Sequence, residues 1–173
     1  MIKTYVIDTN VLIQAPYAIE CFEENNLVLP LVVLEELDGL KKAEGEKGAN
    51  ARAAVRKLES YRQKGDLLQG VKLPGGGILR IEKNFVQVEL PQDIPDDKPD
   101  NRILKVCKGL AETEKEGQVI LVTKDIVLRL KAQILGIRAE DFERERISED
   151  DAQYTGRTEI YFPEEKVKEF KKK

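Results

Sequence analysis

Apolar residues along the chain fall into short continuous runs separated by longer stretches with helical spacing. Residues 3–8 form a short apolar run of buried-strand type, and "NVLIQAPYAIECFEENN" has helical spacing with a break near Pro16. "LVLP" at 27–30 predicts a second strand. From Leu31, Val33, Leu37 and Leu40 recur at i, i+4 and i+7, which predicts a helix. "KGANARAAVRKLESYRQKG" predicts another, with Ala51, Ala54, Val55, Leu58 and Tyr61 as its apolar stripe and Gly65 at its end. Two β-like runs follow, Ile78–Glu82 and Phe85–Leu90, suited to a hairpin or an elaborated loop. "PGGGIL" ahead of them reads as a turn. "PQDIPDDKPD" holds three prolines and four aspartates in ten residues and reads as a loop. "NRILKVCKGLAETEKEG" predicts a helix ending at Gly117, "QVILVTKD" a strongly buried strand, and "DIVLRLKAQILG" the helix after it.

Short apolar strands alternating with helices predict an α/β fold, a three-layer α/β/α sandwich around a central parallel sheet. The expected organisation is one domain over 1–145 and a C-terminal extension or linker over 146–173, since the tail has little core character. In such a sheet, ligands bind beyond the carboxyl ends of the strands. The strands ending at Asp8 and Thr123 are expected to be neighbours.

Composition narrows the chemistry. The chain has no histidine and only two cysteines, Cys21 and Cys107. His-based triads, His acid–base catalysis and Cys/His zinc sites are thereby excluded. Any metal site must be built mostly from oxygen, which suits Mg²⁺, Mn²⁺ or Ca²⁺. No run reaches the roughly 18 apolar residues of a membrane span, and the start lacks the apolar core of a signal peptide. The expectation is a cytoplasmic protein with reduced thiols and no membrane partner. The net charge of -3 does not by itself advertise nucleic-acid binding.

The acidic residues carry the sharper signal. Asp8 closes the first strand, and Asp125 follows the strand "VILVT" after a single lysine. Glu36 has apolar Val33 at i−3 and Leu40 at i+4, so it points partly inward, while Glu35 leans outward. Asp100 opens the helix "NRILKVCKGL". Each has a plain structural reading: Asp8, Asp100 and Asp125 as helix N-caps, Glu36 as a surface residue. Together they would repel one another unless a cation lies between them, and a carboxylate cluster without histidine suits a hard divalent ion. Such a centre suits metal-assisted attack of water on a phosphodiester.

"VIDTNVLI", "LPLVVLEELDGLK", "DNRILKVC" and "VILVTKDIVLRLKA" resemble, in order and spacing, the motifs of PIN domains, a family of metal-dependent ribonuclease folds. The resemblance covers roughly residues 3–143. It implies that Asp8, Glu36, Asp100 and Asp125 are catalytic, metal-binding acids for Mg²⁺ or Mn²⁺, with Asn10 and Thr123 supporting them. Asp96 and Asp97 fit the pattern less well but stand as substitutes for Asp100. "LEELDGLKK" followed by "GANARAAVRKLE", the "LPQDIPDDKPDNRIL" loop and the tail "YTGRTEIYFPEEKV" look most like the PIN domain at the front of PhoH-type ATPases. An ATPase domain is then an implied partner, RNA the implied substrate, and a homo-oligomer stays open.

Residues 41–65 carry Lys41, Lys42, Lys47, Arg52, Arg56, Lys57, Arg62 and Lys64 against Glu44, Glu46 and Glu59. They are either a solvated helix face or a rim for phosphates. Arg52, Arg56 and Lys57 are the RNA-binding candidates there, with Arg102, Lys124 and Arg129 around the acids. The leading expectation is an endoribonuclease cutting single-stranded RNA, with a free-standing toxin nuclease as a variant. The alternative is an RNA-binding or regulatory module of a larger PhoH-type ATPase with weak or no nuclease activity. A phosphatase of another α/β class is disfavoured, because "DTN" lacks the DxD arrangement of an aspartyl nucleophile.

Overall fold

A computed structural model describes residues 2–83, 87–95, 97–113 and 118–143. The first strand, β1 (Thr4–Ile7), runs straight into a short helix, α1 (Thr9–Gln14), and a 3₁₀ turn follows at Pro16–Glu20. Pro16 lacks the N–H needed to continue α1, which places the break where the sequence predicts it. Next come β2 (Asn26–Pro30), α2 (Leu31–Leu40) and α3 (Gly45–Arg62). A two-residue strand, β3 (Val71–Lys72), and β4 (Ile78–Glu82) precede α4 (Pro99–Thr113), and β5 (Val119–Val122), α5 (Ile126–Ile134) and β6 (Arg138–Glu140) complete the order.

The six strands form one sheet in the order β3-β4-β2-β1-β5-β6, parallel throughout except for the antiparallel pair β3–β4. Helices flank it, which is the expected α/β architecture. Every residue of β1 is buried, as are Leu27–Pro30 of β2 and Ile120–Val122 of β5, so both faces of the central strands are covered. A strand buried on both faces has no polar side to alternate with, and its sequence reads as an unbroken apolar run. The predicted neighbours do pair: Ile7 lies opposite Val122, and the Asp8 N–H extends the ladder to the Val122 carbonyl at 3.0 Å. From β1 the chain first builds the sheet toward β2 and β4, then crosses back to β5 on the other side. The ends of β1 and β5 thus form the topological switch point, where connections diverge and leave a crevice.

Three expectations need correction. The partner of β4 on its outer side is β3, not the run Phe85–Leu90. Within that run residues 85 and 86 lie outside the described residues, and 87–90 form no strand. β3 and β6 escaped the pattern because strands of two and three residues are too short to show a period. Of α3's predicted stripe, Ala51, Ala54, Leu58 and Tyr61 are buried, whereas Val55 is only half-buried. The predicted extension at 146–173 lies outside the described residues, as do positions 114–117 at the end of the "NRILKVCKGLAETEKEG" run. Among the described residues, no helix is long and apolar enough to cross a membrane.

The "PGGGIL" segment is a turn, and its glycines are required by contact. A Cβ on Gly77 would stand 1.9 Å from the Asn25 carbonyl oxygen, and one on Gly75 would stand 2.8 Å from that of Glu23. Backbone lies against backbone just before β2. Gly39, exposed in α2, has nothing within 4 Å of such a Cβ. Gly77→Ala should therefore lower stability by about 2 kcal/mol or more, since backbone must shift. Gly39→Ala should raise it by up to about 1 kcal/mol through helix propensity. Urea unfolding of both variants checks this, and equal effects would refute the contact argument.

Candidate metal centre

At the carboxyl end of β1, Asp8 occupies the N-cap position of α1 in extended conformation, yet its side chain makes no capping bond. The simple capping role is thereby removed. Its Oδ2 instead accepts the Thr123 hydroxyl at 2.6 Å, across the β1–β5 pair. Asp8 is 2% exposed and Thr123 fully buried. Burial is the largest influence on the Asp8 carboxyl and raises it. The Thr123 hydrogen bond opposes that, the Asp100 charge adds to it, the Thr9 backbone N–H opposes it, and the Glu36 charge adds to it. The net effect lifts the pKa from 3.8 to about 6. The charges of Asp100 and Glu36 thus both reach Asp8.

The four acids are held in four different ways. Glu36, half-buried on α2, accepts the hydroxyl of buried Thr9 at 2.5 Å, which ties α2 to the first turn of α1. Asp125 is the N-cap of α5: its Oδ1 accepts the N–H groups of Val127 at 2.9 Å and Leu128 at 3.3 Å. Its capping role is thus real, and its own N–H donates to Thr123 Oγ1 at 3.0 Å. Thr123 links Asp8 to Asp125 by donating to one and accepting from the other. Asp100 lies in the first turn of α4, after Pro99, so it is not the N-cap. Its carboxylate makes no hydrogen bond or ion pair among the described residues. Asp97 is exposed, and Asp96 lies outside the described residues. Asn10 is exposed in the first turn of α1, and its side chain makes no hydrogen bond among the described residues.

Among the described residues, no three carboxylates close up tightly enough to form a ready-made cage. The donor set still fits a hard divalent cation. A buried carboxylate with a raised pKa, under the field of two further acids, is under-compensated, and its available partners are all oxygen. Mg²⁺ also keeps several of its waters, so carboxylates that stand apart can hold it through them. The thiol of Cys107, fully buried on α4, is pushed up first by burial and then by the Asp8 charge, so it supplies no thiolate.

Most of the predicted RNA-binding cations already have structural work. Arg52 donates to the carbonyl oxygens of Lys41 at 2.7 Å and Ala43 at 3.4 Å, closing the end of α2. Lys57 pairs with Glu20 at 3.1 Å, and the same carboxylate accepts the Tyr61 hydroxyl at 2.5 Å. Lys124 pairs with Asp141 at 3.0 Å, and Arg129 donates to the Thr123 carbonyl at 2.7 Å. Arg102 reaches the Asp97 carbonyl at 3.5 Å. Arg56 is exposed and has no ion-pair partner among the described residues. Sequence reasoning missed Thr9, Asn101, Lys131 and Asp141. Thr9 stood in plain view beside Asp8. The others are polar partners of buried or half-buried groups, which an apolar-spacing rule does not register.

The sequence model of the PIN domain family matches residues 5–143. Protein PhoH2 of Bacillus subtilis is 45% identical over 175 residues, covering 98% of this chain and 40% of that protein. Protein PhoH2 of Mycolicibacterium smegmatis is 38% identical over 162 residues, covering 92% of this chain and 36% of that protein. The chain thus spans well under half the length of these curated relatives. Among solved structures, the PIN domain of T. brucei RRP44 superposes with a TM-score of 0.56 at 14% identity, over 90% of this chain and 85% of that one.

The Asp8 carboxyl sets a pH dependence. Its folded-state pKa lies above its unfolded value, so Asp8 favours folding below about pH 4 and loses that contribution as pH rises through about 6. The loss is about 3 kcal/mol for a shift of this size. Asp8→Asn removes it and keeps an acceptor for Thr123. With chelator present, the variant should match wild type near pH 4 and exceed it in stability near pH 7. Glu20, held low chiefly by the Tyr61 hydroxyl, acts oppositely in both proteins and cancels. Parallel stability–pH curves would overturn the electrostatic account of Asp8.

Proposed function

Because the chain belongs to the PIN domain family, we propose that it is a metal-dependent endoribonuclease module that hydrolyses phosphodiester bonds of single-stranded RNA. The buried, under-compensated Asp8 carboxylate carries this reading, since a structural residue at that position gains nothing from the fields of Asp100 and Glu36. Asp8, Glu36, Asp100 and Asp125 would hold Mg²⁺ or Mn²⁺. The ion, when bound, supplies Lewis-acid stabilisation of phosphate charge and a water of lowered pKa. Thr123 holds the Asp8 carboxylate toward the crevice, and Thr9 holds that of Glu36. Of the three candidates on α3, Arg56 is the one best able to meet a phosphate, because Arg52 and Lys57 have partners within the fold.

A second reading has its own support. The PhoH2 relatives are more than twice as long as the matched region, and in this reading the region serves a larger protein as an RNA-binding or regulatory module beside a PhoH-type ATPase domain. The two readings separate in one assay. With Mn²⁺ or Mg²⁺, labelled single-stranded RNA should be cut internally, chelator should stop cutting, and Asp8→Asn or Glu36→Gln should lower the rate at least about 100-fold with the fold intact. Binding without metal-dependent cutting favours the module. Undiminished cutting by Asp8→Asn removes Asp8 from the centre.

Arg56→Gln should reduce the salt slope of RNA binding by about 0.7. Arg52→Gln should mainly lower stability, because it exposes no new phosphate site but uncaps α2. Binding isotherms at several salt concentrations, with denaturant unfolding alongside, distinguish the two effects. An unchanged slope in Arg56→Gln would move the RNA path off α3.

A further inference from the structure

We propose that Asn101 and Lys131 form a strut that positions Asp100 against the start of α5, and hence against Asp125. This rests on the reading of the four acids as a metal centre. Thr123 fixes Asp8, Thr9 fixes Glu36, and the amides of α5 fix Asp125. The Asp100 carboxylate has no such bond among the described residues, so its place depends on the backbone of the first turn of α4.

That backbone is held by its neighbour. Asn101 is 1% exposed, and each of its polar groups is used. Its Nδ2 donates to the Pro95 carbonyl at 2.6 Å, which ties down the loop leading into α4. Its N–H donates to the Lys98 carbonyl at 3.0 Å. Its Oδ1 accepts the Lys131 ammonium at 3.1 Å, from the far end of α5. Ile94, buried in the same loop, anchors the other side of the connection.

The helix α5 then acts as a rod. Asp125 caps its first turn, and Lys131 lies in its last turn. A bond from Lys131 to Asn101 therefore sets where the first turn of α4, with Asp100, stands relative to the first turn of α5. An apolar pair would fill the same space but tolerate sliding. A charge-assisted hydrogen bond is directional and does not. Asn101 and Lys131 touch neither RNA nor ion in this proposal, so they are positioning residues.

Lys131→Met keeps the side-chain length and removes the donor, and Lys131→Arg restores a donor. Mn²⁺ affinity by calorimetry and hydrogen exchange at the Asn101 and Arg102 amides, both bonded to the Lys98 carbonyl, report on the strut. Lys131→Met should weaken Mn²⁺ binding about tenfold, in the range known for supporting residues of metal sites, and speed exchange at both amides. Lys131→Arg should recover most of the affinity. A packing role alone predicts a lower melting temperature with Mn²⁺ affinity unchanged. Affinity within twofold of wild type in Lys131→Met, or equal losses in Met and Arg variants, would overturn the strut. RNA cleavage is scored separately. A wild-type protein that binds Mn²⁺ but leaves RNA uncut overturns the nuclease reading alone, and the variants still decide the strut. A wild-type protein that binds no Mn²⁺ overturns the metal centre and the strut with it.

Discussion

The bond between the Asp8 carboxylate and the Thr123 hydroxyl is the constraint on which the rest of the site depends. It exists because β1 and β5 pair in parallel with Ile7 opposite Val122, so the next residue of each strand meets the other beyond the ladder. A slip of one residue would put the two side chains on opposite faces of the sheet. Thr123 has one proton and spends it on Asp8. Its lone pair receives the Asp125 N–H, and its carbonyl receives Arg129. Three elements of the candidate site are thus locked through one threonine.

That lock holds a group the fold would rather not hold. Burial outweighs the hydrogen bonds at Asp8, and the nearby charges of Asp100 and Glu36 make matters worse. The cost is borne by the apolar residues around it. Val6 and Ile7 before it, Val11 and Leu12 after it, and Leu121 on the paired strand are all buried. Local consistency fails here, and functional sites are where proteins commonly break the rules of stability. In the proposed metal centre a divalent cation would reverse the balance, because proximity that is repulsive without it would favour ligation with it.

The basic residues divide by the same logic. Lysines and arginines near the acids or on α3 are mostly spent on carbonyl oxygens and carboxylates within the fold. A cation that closes a helix end or pairs with an inner carboxylate loses part of what it offers to a phosphate. The charge count of a segment is therefore a poor guide to its nucleic-acid surface. Arg56, one turn beyond Arg52 on α3, is exposed and, among the described residues, meets no carbonyl oxygen as its neighbour does.

Much of this was legible in the chain itself. Unbroken apolar runs identify β1, β2 and β5, because strands covered on both faces leave no polar position to interrupt them. Helical spacing identifies α2 to α5, and Pro16 marks the end of α1. The acids stand out by position: Asp8 and Asp125 follow apolar strands, Glu36 interrupts an apolar helix face, and Asp100 opens a helix. Local sequence cannot distinguish a cap from a ligand, since both place a short acid at the start of a helix. Tertiary structure showed which of them caps: Asp125 caps α5, while Asp8 turns from its helix to a hydroxyl 115 residues away. It also supplied β3 and β6, whose two and three residues gain strand geometry only from a neighbour's ladder. The partnerships Thr9–Glu36 and Asn101–Lys131 join residues 27 and 30 positions apart. Such pairings depend on where two helices come to rest, and that is decided by packing of the whole core rather than by any segment's own pattern.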